Sequence, residues 1–210
     1  MKVTLLQIPE SLAVSEKAAA ICVGRTDNPS PKGLEHAVKS GHLSILEHVP
    51  LTFLIEDVSR ALTHQLVRHR IATYSQKSQR YCKVGVNNDD WYVIPPSLQK
   101  TGQVLAYREC MDEIARAYER LLQYVPKEDA RYVLPNACYT DIIVTLNARS
   151  FIEQAEKRLC NRAQWEIREL YREMVRLVKP HLPMVADMCK PACKKGGCKE
   201  SKPCGVPWND

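Results

Sequence analysis

Glycine is scarce in this chain of 210 residues: there are eight, and neither GxGxxG nor GxxxxGK[ST] occurs among them. Both Gly-rich loops that cradle nucleotide phosphates on backbone amides are thereby excluded, so any phosphate bound here must be held by side chains. Aromatic residues are also few, with only two Phe, and no basic stripe is interleaved with aromatics apart from Tyr74 and Tyr81. That pattern argues against a stacking platform for single-stranded nucleic acid. No apolar run approaches the roughly 20 residues needed to cross a bilayer, and no membrane partner is expected. The opening MKVTLLQIPESLAVSEK reaches Pro9 and Glu10 too early for a secretion signal, so a cytoplasmic protein is expected. Nine cysteines, an odd number, disfavour a disulfide framework.

Acid is missing where base is dense. From Val58 to Asn88 there is no Asp or Glu, while Arg60, Arg68, Arg70, Lys77, Arg80 and Lys83 all fall inside. The net charge is +6, yet residues 189–210 carry five lysines against Glu200 and Asp210, a net +3. Half of the excess therefore sits in the tail. This favours a local anion site over a surface for duplex nucleic acid.

Arg68-His69-Arg70 places two planar, permanently charged forks on either side of an imidazole, a geometry suited to phosphate. Further on, Lys77, Ser78, Gln79 and Arg80 offer ammonium, hydroxyl, amide and guanidinium groups that suit a phosphate-plus-base ligand such as a nucleotide. A solvated basic loop is the plainer reading of the same composition. Ser78 as a nucleophile would need a base in reach. His69, flanked by arginines that depress its pKa, is a poor one, so a ligand-binding hydroxyl is expected. His42 and His48 are six apart, and His64 and His69 five apart. Neither spacing matches the i, i+4 pairing of helical metal ligands, and no catalytic metal is expected. Asn147, Arg149 and Arg158 form a second polar group. Arg149 and Arg158 are nine apart and cannot lie side by side on one helix, and each by itself reads as a surface arginine.

The periodicities predict strands at Lys2–Ile8, Leu51–Ile55 and Ile142–Leu146, with strand-like stretches near Tyr81–Val84 and Trp91–Ile94. Helices are expected over 11–22, 32–40, about 58–69 with a polar loop after it, 104–125, a short one between Pro126 and Pro135 that carries Arg131, a turn from Asn147, and a long one through Ala163–Leu177 ended by Pro180. The order is mixed and helices dominate, so the class is α+β. One domain over 1–188 is expected, with a Cys- and Lys-rich appendage over 189–210. In that appendage Cys189, Cys193, Cys198 and Cys204 are spaced C-x3-C-x4-C-x5-C. Four thiolates close a zinc or iron–sulfur site, but the CxxC knuckle is absent, and a disordered lysine-rich terminus is the alternative.

The RHR-x7-S pattern of Arg68-His69-Arg70 and Ser78, followed by Arg80-Tyr81, resembles the signature of flavin-dependent thymidylate synthases. Gly41-His42-x-Ser44-x-x-Glu47-His48, Gln65, Arg131-x-x-Leu134-Pro135, Asn147-Ala148-Arg149-Ser150, and Arg158 leading into Arg162-Ala163-Gln164-Trp165-Glu166-Ile167 resemble further segments of that family in order. The likeness runs from about residue 18 to 178. It implies an α+β fold with a central, mostly antiparallel sheet among helices, and a homotetramer with active sites between subunits. It also implies a methyltransferase that converts dUMP to dTMP with 5,10-methylenetetrahydrofolate and NADPH-reduced FAD. By resemblance, Gln65, Arg68, Gln76, Lys77, Ser78, Gln79, Arg80, Arg131 and Arg158 bind dUMP. Ser44, Arg68, His69, Arg70, Gln76, Asn147 and Arg149 bind the flavin, and Arg158 is catalytic. Gln76 stands where some members carry Glu. Glu153 stands where some carry an Asn flavin contact, and its charge beside a phosphate leaves it out of the expected site. The alternative is a non-catalytic nucleotide- or single-stranded RNA-binding module with a zinc-binding tail.

Overall fold

A computed structural model describes residues 1–86, 90–198 and 200–206. Asn87 and Asn88, which close the acid-free stretch, lie outside the described residues, as do Lys199 and residues 207–210 of the tail. The chain order is β1 (Lys2–Gln7), α1 (Ala13–Cys22), α2 (Pro31–Lys39), a 3-10 turn (Leu43–His48), β2 (Pro50–Ser59), α3 (Arg60–Leu66), β3 (Thr73–Gln76), α4 (Pro96–Thr101), α5 (Val104–Leu121), α6 (Lys127–Ala130), a 3-10 turn (Arg131–Val133), β4 (Tyr139–Asn147), α7 (Ala148–Arg158), α8 (Trp165–Val178) and α9 (Pro183–Met188), with a last 3-10 turn at Ala192–Lys194. One antiparallel sheet of four strands runs in the order β1-β2-β4-β3, so the α+β class holds. Among the described residues no helix is long and apolar enough to cross a membrane.

Strand β2 shows how side-chain alternation sets the layers. Leu51, Phe53 and Ile55 are fully buried at every second position. Asp57 then adopts φ 55°, the left-handed region that non-glycine residues seldom enter. Burial resumes at Val58, one residue out of phase with Leu51, Phe53 and Ile55, as an extra residue in a strand would produce. The Asp57 amide donates to Asp141 Oδ1 at 3.3 Å. Ser59 then turns the chain into α3, its hydroxyl accepting from the Leu62 amide at 2.9 Å as an N-cap does.

By packing, the chain divides into two units. The first comprises Met1–Lys2, Ile55–Gln65 and Ser75–Ile142. Its core gathers Val86, Trp91, Tyr92, Met111, Tyr118, Ala130 and Cys138. Met111 and Tyr118 are the buried stripe of α5, one heptad apart as an amphipathic helix requires. The second unit comprises Val3–Leu54, Leu66–Tyr74 and Ile143–Asp210. There Phe151 lies between Phe53 and Tyr171, with ring centroids 5.8 and 6.2 Å away. Helix α8 buries Ile167, Leu170, Tyr171, Met174 and Val178 on one face. Gln164 Oε1 starts that helix by accepting from the Glu166 and Ile167 amides, both at 3.0 Å.

Several expectations are corrected. Tyr81–Val84 and Trp91–Ile94 are not strands; among the described residues the one isolated bridge there is antiparallel, from Tyr92 to Cys138. Their apolar residues instead feed the core of the first unit. Strand β3 occupies part of the expected polar loop because Lys77 and its neighbours pair with β4, the Lys77 amide donating to Asp141 O at 2.9 Å. Helix α3 stops at Leu66, so Arg68-His69-Arg70 lies in the turn beyond it. Helices α4 and α9 were not foreseen; each opens on a proline at its first position, where a missing N–H costs nothing.

Candidate active site

In the first unit, α3 presents Arg60 and His64 one turn apart. A cavity of about 300 Å³ is lined by both, by Gln79 and Arg131, and by Tyr132, Leu134, Pro135 and Asn136. Among the described residues no carboxylate lines it. Arg60 Nη1 and Gln79 Nε2 are buried and have no hydrogen-bond partner among the described residues. Burial weakens the hold of Arg60 on its proton, and the nearby Arg131 charge acts in the same direction. Buried donors without partners are costly, and each such exception calls for an explanation. Arg131 Nε is anchored on Glu128 O at 3.0 Å.

Beside it, a cavity of about 180 Å³ is lined by Lys77, Ser78 and Gln79 together with Asp57 and Asp141. Ser78 Oγ accepts from the Arg80 amide at 3.2 Å, and among the described residues no histidine lines this cavity to serve as its base. The acid-free stretch is in fact neutralised from elsewhere in the chain: Lys77 pairs with Asp141 at 3.3 Å, Arg80 with Glu128 at 2.6 Å and Lys83 with Glu119 at 2.8 Å. The Gln76 amide donates to Thr63 Oγ1 at 3.0 Å and Thr140 Oγ1 at 3.3 Å, tying α3 to β4. A Glu at this position would lack those donors. Gln65 Nε2 turns back to Ala61 O at 3.3 Å. The structure thus brings Gln79 and Arg131 together in one cavity and Lys77, Ser78 and Gln79 together in the other.

In the second unit, the turn after α3 is held by Tyr74, whose hydroxyl hydrogen is shared between Leu66 O at 2.9 Å and His69 O at 2.8 Å. His69 Nε2 accepts from Arg158 Nε at 3.0 Å. That requires a neutral imidazole with its proton on Nδ1. Burial, seconded by the Arg158 and Lys157 charges, depresses the His69 pKa to about 4, in keeping with that form. Arg158 is the last residue of α7. Arg68 and Arg70 are exposed, and among the described residues neither forms an ion pair. Arg149 does: Nη1 meets Glu47 at 2.7 Å and Nε meets Glu153 at 2.9 Å. Glu153 therefore acts as the counter-charge of Arg149. Asn147 Oδ1 caps α7 by accepting from the Ser150 amide at 2.8 Å, and Ser44 is exposed in the 3-10 turn Leu43–His48. His69 and Arg158 are brought into contact, whereas Asn147 and Arg149 are engaged by neighbouring protein groups.

Sequence reasoning placed Arg60 in the basic stretch but not in a site, and weighed His64 only as a metal ligand. The signal available was their i, i+4 spacing, which puts both on one helical face. The tail cysteines divide. Cys189 is buried with its thiol on Val185 O at 3.3 Å, and burial pushes its pKa up to about 12. Cys193, Cys198 and Cys204 are exposed.

The chain matches the model of the Thy1 family, described as thymidylate synthase complementing protein, over residues 4–184. A flavin-dependent thymidylate synthase of Geobacter sulfurreducens is 44% identical over 216 residues, covering 95% of this chain and 91% of the relative. One of Clostridium tetani is 39% identical over 235 residues, with the same two coverages. Solved structures share the fold at 22% identity. One is a UMP/dUMP methylase, PolB, of Streptomyces cacaoi bound with 5-Br dUMP, with TM-score 0.76, covering 89% of this chain and 93% of its own. Another is a flavin-dependent thymidylate synthase of Helicobacter pylori complexed with FAD and dUMP, with TM-score 0.73, covering 90% and 100%. With the family model spanning residues 4–184 and relatives at this identity aligned along nearly their whole length, the chain belongs to the flavin-dependent thymidylate synthase family.

Proposed function

We propose that this protein converts dUMP to dTMP, taking the one-carbon unit from 5,10-methylenetetrahydrofolate and the hydride from FAD reduced by NADPH. The observation that carries the reading is the cavity of about 300 Å³, lined among the described residues by Arg60, Arg131, Gln79 and His64 and by no carboxylate. Two guanidinium groups with no opposing carboxylate among the described lining residues suit an anion with several oxygens, and a nucleotide phosphate has that character. Arg131, Gln79 and Arg60 take the phosphate in this proposal, while Ser78, Arg80, Lys77, Gln65 and Arg68 contribute to orienting the nucleotide. Gln76 acts from behind by holding α3 to β4.

The residues also suit FAD. Arg68 and Arg70, exposed and free of ion pairs among the described residues, with the Ser44 hydroxyl, form a donor set fit for a pyrophosphate. His69 and Asn147 support them, and Arg149 exchanges Glu47 and Glu153 for the cofactor on binding. FAD, when bound, supplies the hydride chemistry that no side chain can.

Arg158 is the residue assigned to catalysis. Its fixed charge at the pyrimidine stabilises an ionised N3 and so raises electron density at C5, the carbon that attacks the methylene. A preorganised cation where negative charge develops is often the largest single contribution to rate. His69 orients it by accepting from Nε at 3.0 Å. No protein nucleophile is required, in agreement with the unactivated Ser78. A cytoplasmic homotetramer in which residues 1–188 form the catalytic domain completes the proposal.

The test is turnover: purified protein with dUMP, 5,10-methylenetetrahydrofolate, NADPH and FAD, assayed for dTMP by chromatography. dTMP formation dependent on all four additions is expected. A protein that binds FAD yet forms no dTMP would overturn the proposal.

A further inference from the structure

Away from the residues just described, in the second unit, the segment after α7 and the tail enclose a cavity of about 480 Å³. Four thiols line it: Cys160, Cys193, Cys198 and Cys204. Cys189, which the tail spacing alone would have included, is instead turned into the core. The tail is docked here by side chains of α7 and of the loop that carries Cys160. Asn161 Nδ2 donates to Val206 O at 3.0 Å, Arg162 Nη1 donates to Lys202 O, and Lys195 pairs with Glu156 at 3.1 Å. Val206 O also accepts from the Cys204 thiol at 3.1 Å, so Cys204 and the Cys160–Asn161 segment converge on one carbonyl.

We propose that Cys160, Cys193, Cys198 and Cys204 bind a zinc ion as a tetrathiolate, which staples the tail to the loop following α7. Four thiolates satisfy the tetrahedral preference of zinc in structural sites, and soft sulfur ligands select it over hard cations. Each thiol gives up its proton on binding, so four protons leave and the complex carries two negative charges. Lys157 and Arg162 line the same cavity together with Glu156 and Glu200, and Lys195 and Arg162 pair with those two carboxylates, so Lys157 is the lining cation left to face that charge. Among the described residues no three Cys, His, Asp or Glu side chains already stand as a coordination shell, so binding draws the thiols inward. Gly196 and Gly197, between Cys193 and Cys198, hold φ 140° and 127°, and Gly205, after Cys204, holds 72°. These conformations belong to glycine and let the chain wrap a metal; closure on binding is usual for structural zinc. The site recruits Cys160, 33 positions before the first tail ligand, and begins two residues beyond Arg158.

The test uses the full chain, purified with zinc under reducing conditions, then dialysed. About one zinc per chain is expected, retained in Cys22→Ser, an exposed cysteine on α1, and reduced at least tenfold in Cys160→Ser and in Cys204→Ser. Zinc retained by Cys160→Ser would overturn the proposal, because the tail alone would then hold it. Absence of zinc from the wild type, iron with labile sulfide in its place, or disulfides among the four cysteines would overturn it as well. Cobalt titration of metal-free wild type needs no variant. Sulfur-to-cobalt charge-transfer intensity corresponding to four thiolates is expected, and fewer than four contradicts the assignment.

Discussion

Replacing Arg60 with methionine is expected to move stability and nucleotide affinity in opposite directions. Methionine keeps the length and apolar stem while removing a charge whose Nη1 is buried without a partner. A buried donor left unsatisfied costs about 1–3 kcal/mol, so the ligand-free protein should gain about 1 kcal/mol once the lost packing of the guanidinium is set against it. Nucleotide binding should suffer. A hydrogen bond to a charged group contributes about 1.5–3 kcal/mol, which corresponds to a rise in the dUMP dissociation constant of roughly 10- to 150-fold. Urea denaturation without ligand measures the first quantity and calorimetric titration with dUMP the second. If Arg60→Met loses stability and binds dUMP as tightly as wild type, the guanidinium is a structural element with an unrecognised partner, and the cavity is not the phosphate site.

Arg158→Ala should retain the flavin but lose about two to three orders of magnitude in kcat; a kcat near wild type, measured at saturating substrates, would remove its catalytic role. Tyr74→Phe should lower stability by about 1 kcal/mol, since one hydroxyl hydrogen serves both Leu66 O and His69 O. It should also weaken FAD binding several-fold, and a wild-type FAD titration would show that the turn holds without it. His69 is neutral in the fold down to about pH 4, against 6.5 as the ordinary value. Between those limits the unfolded chain binds the extra proton, so this group's contribution is fully present above pH 6.5 and is lost as the pH falls toward 4. His69→Gln should flatten the fall in denaturation midpoint across that window; an unchanged slope would contradict the neutral, Arg158-bound imidazole.

The amphipathic elements were legible because burial follows period. The stripe Met111–Tyr118 of α5 and the Ile167, Leu170, Met174 and Val178 face of α8 are both written in the chain, as is the alternation of Leu51, Phe53 and Ile55. What local pattern could not reveal was pairing at a distance. Strand β3 exists because β4 offers it a partner, and the four residues Thr73–Gln76 carry no apolar alternation of their own. Trp91 and Tyr92 look like strand residues because they are large and apolar, yet they are consumed by the core of the first unit. Charge was misleading for the same reason: Lys77, Arg80 and Lys83 meet Asp141, Glu128 and Glu119, all more than thirty residues away. For the candidate site, the motif residues stood out from the sequence, while the contact between His69 and Arg158 and the orphaned Arg60 did not. Both depend on how turns and helix ends converge, which no spacing rule encodes.

The central claim, that this chain holds a flavin and dUMP for one reaction, is tested most directly by the visible absorption spectrum of the purified protein before and after adding dUMP. The account predicts flavin bands, present on isolation or after reconstitution with FAD, that shift when dUMP is added. A protein that remains colourless after incubation with FAD, or flavin bands that do not respond to dUMP, would contradict it.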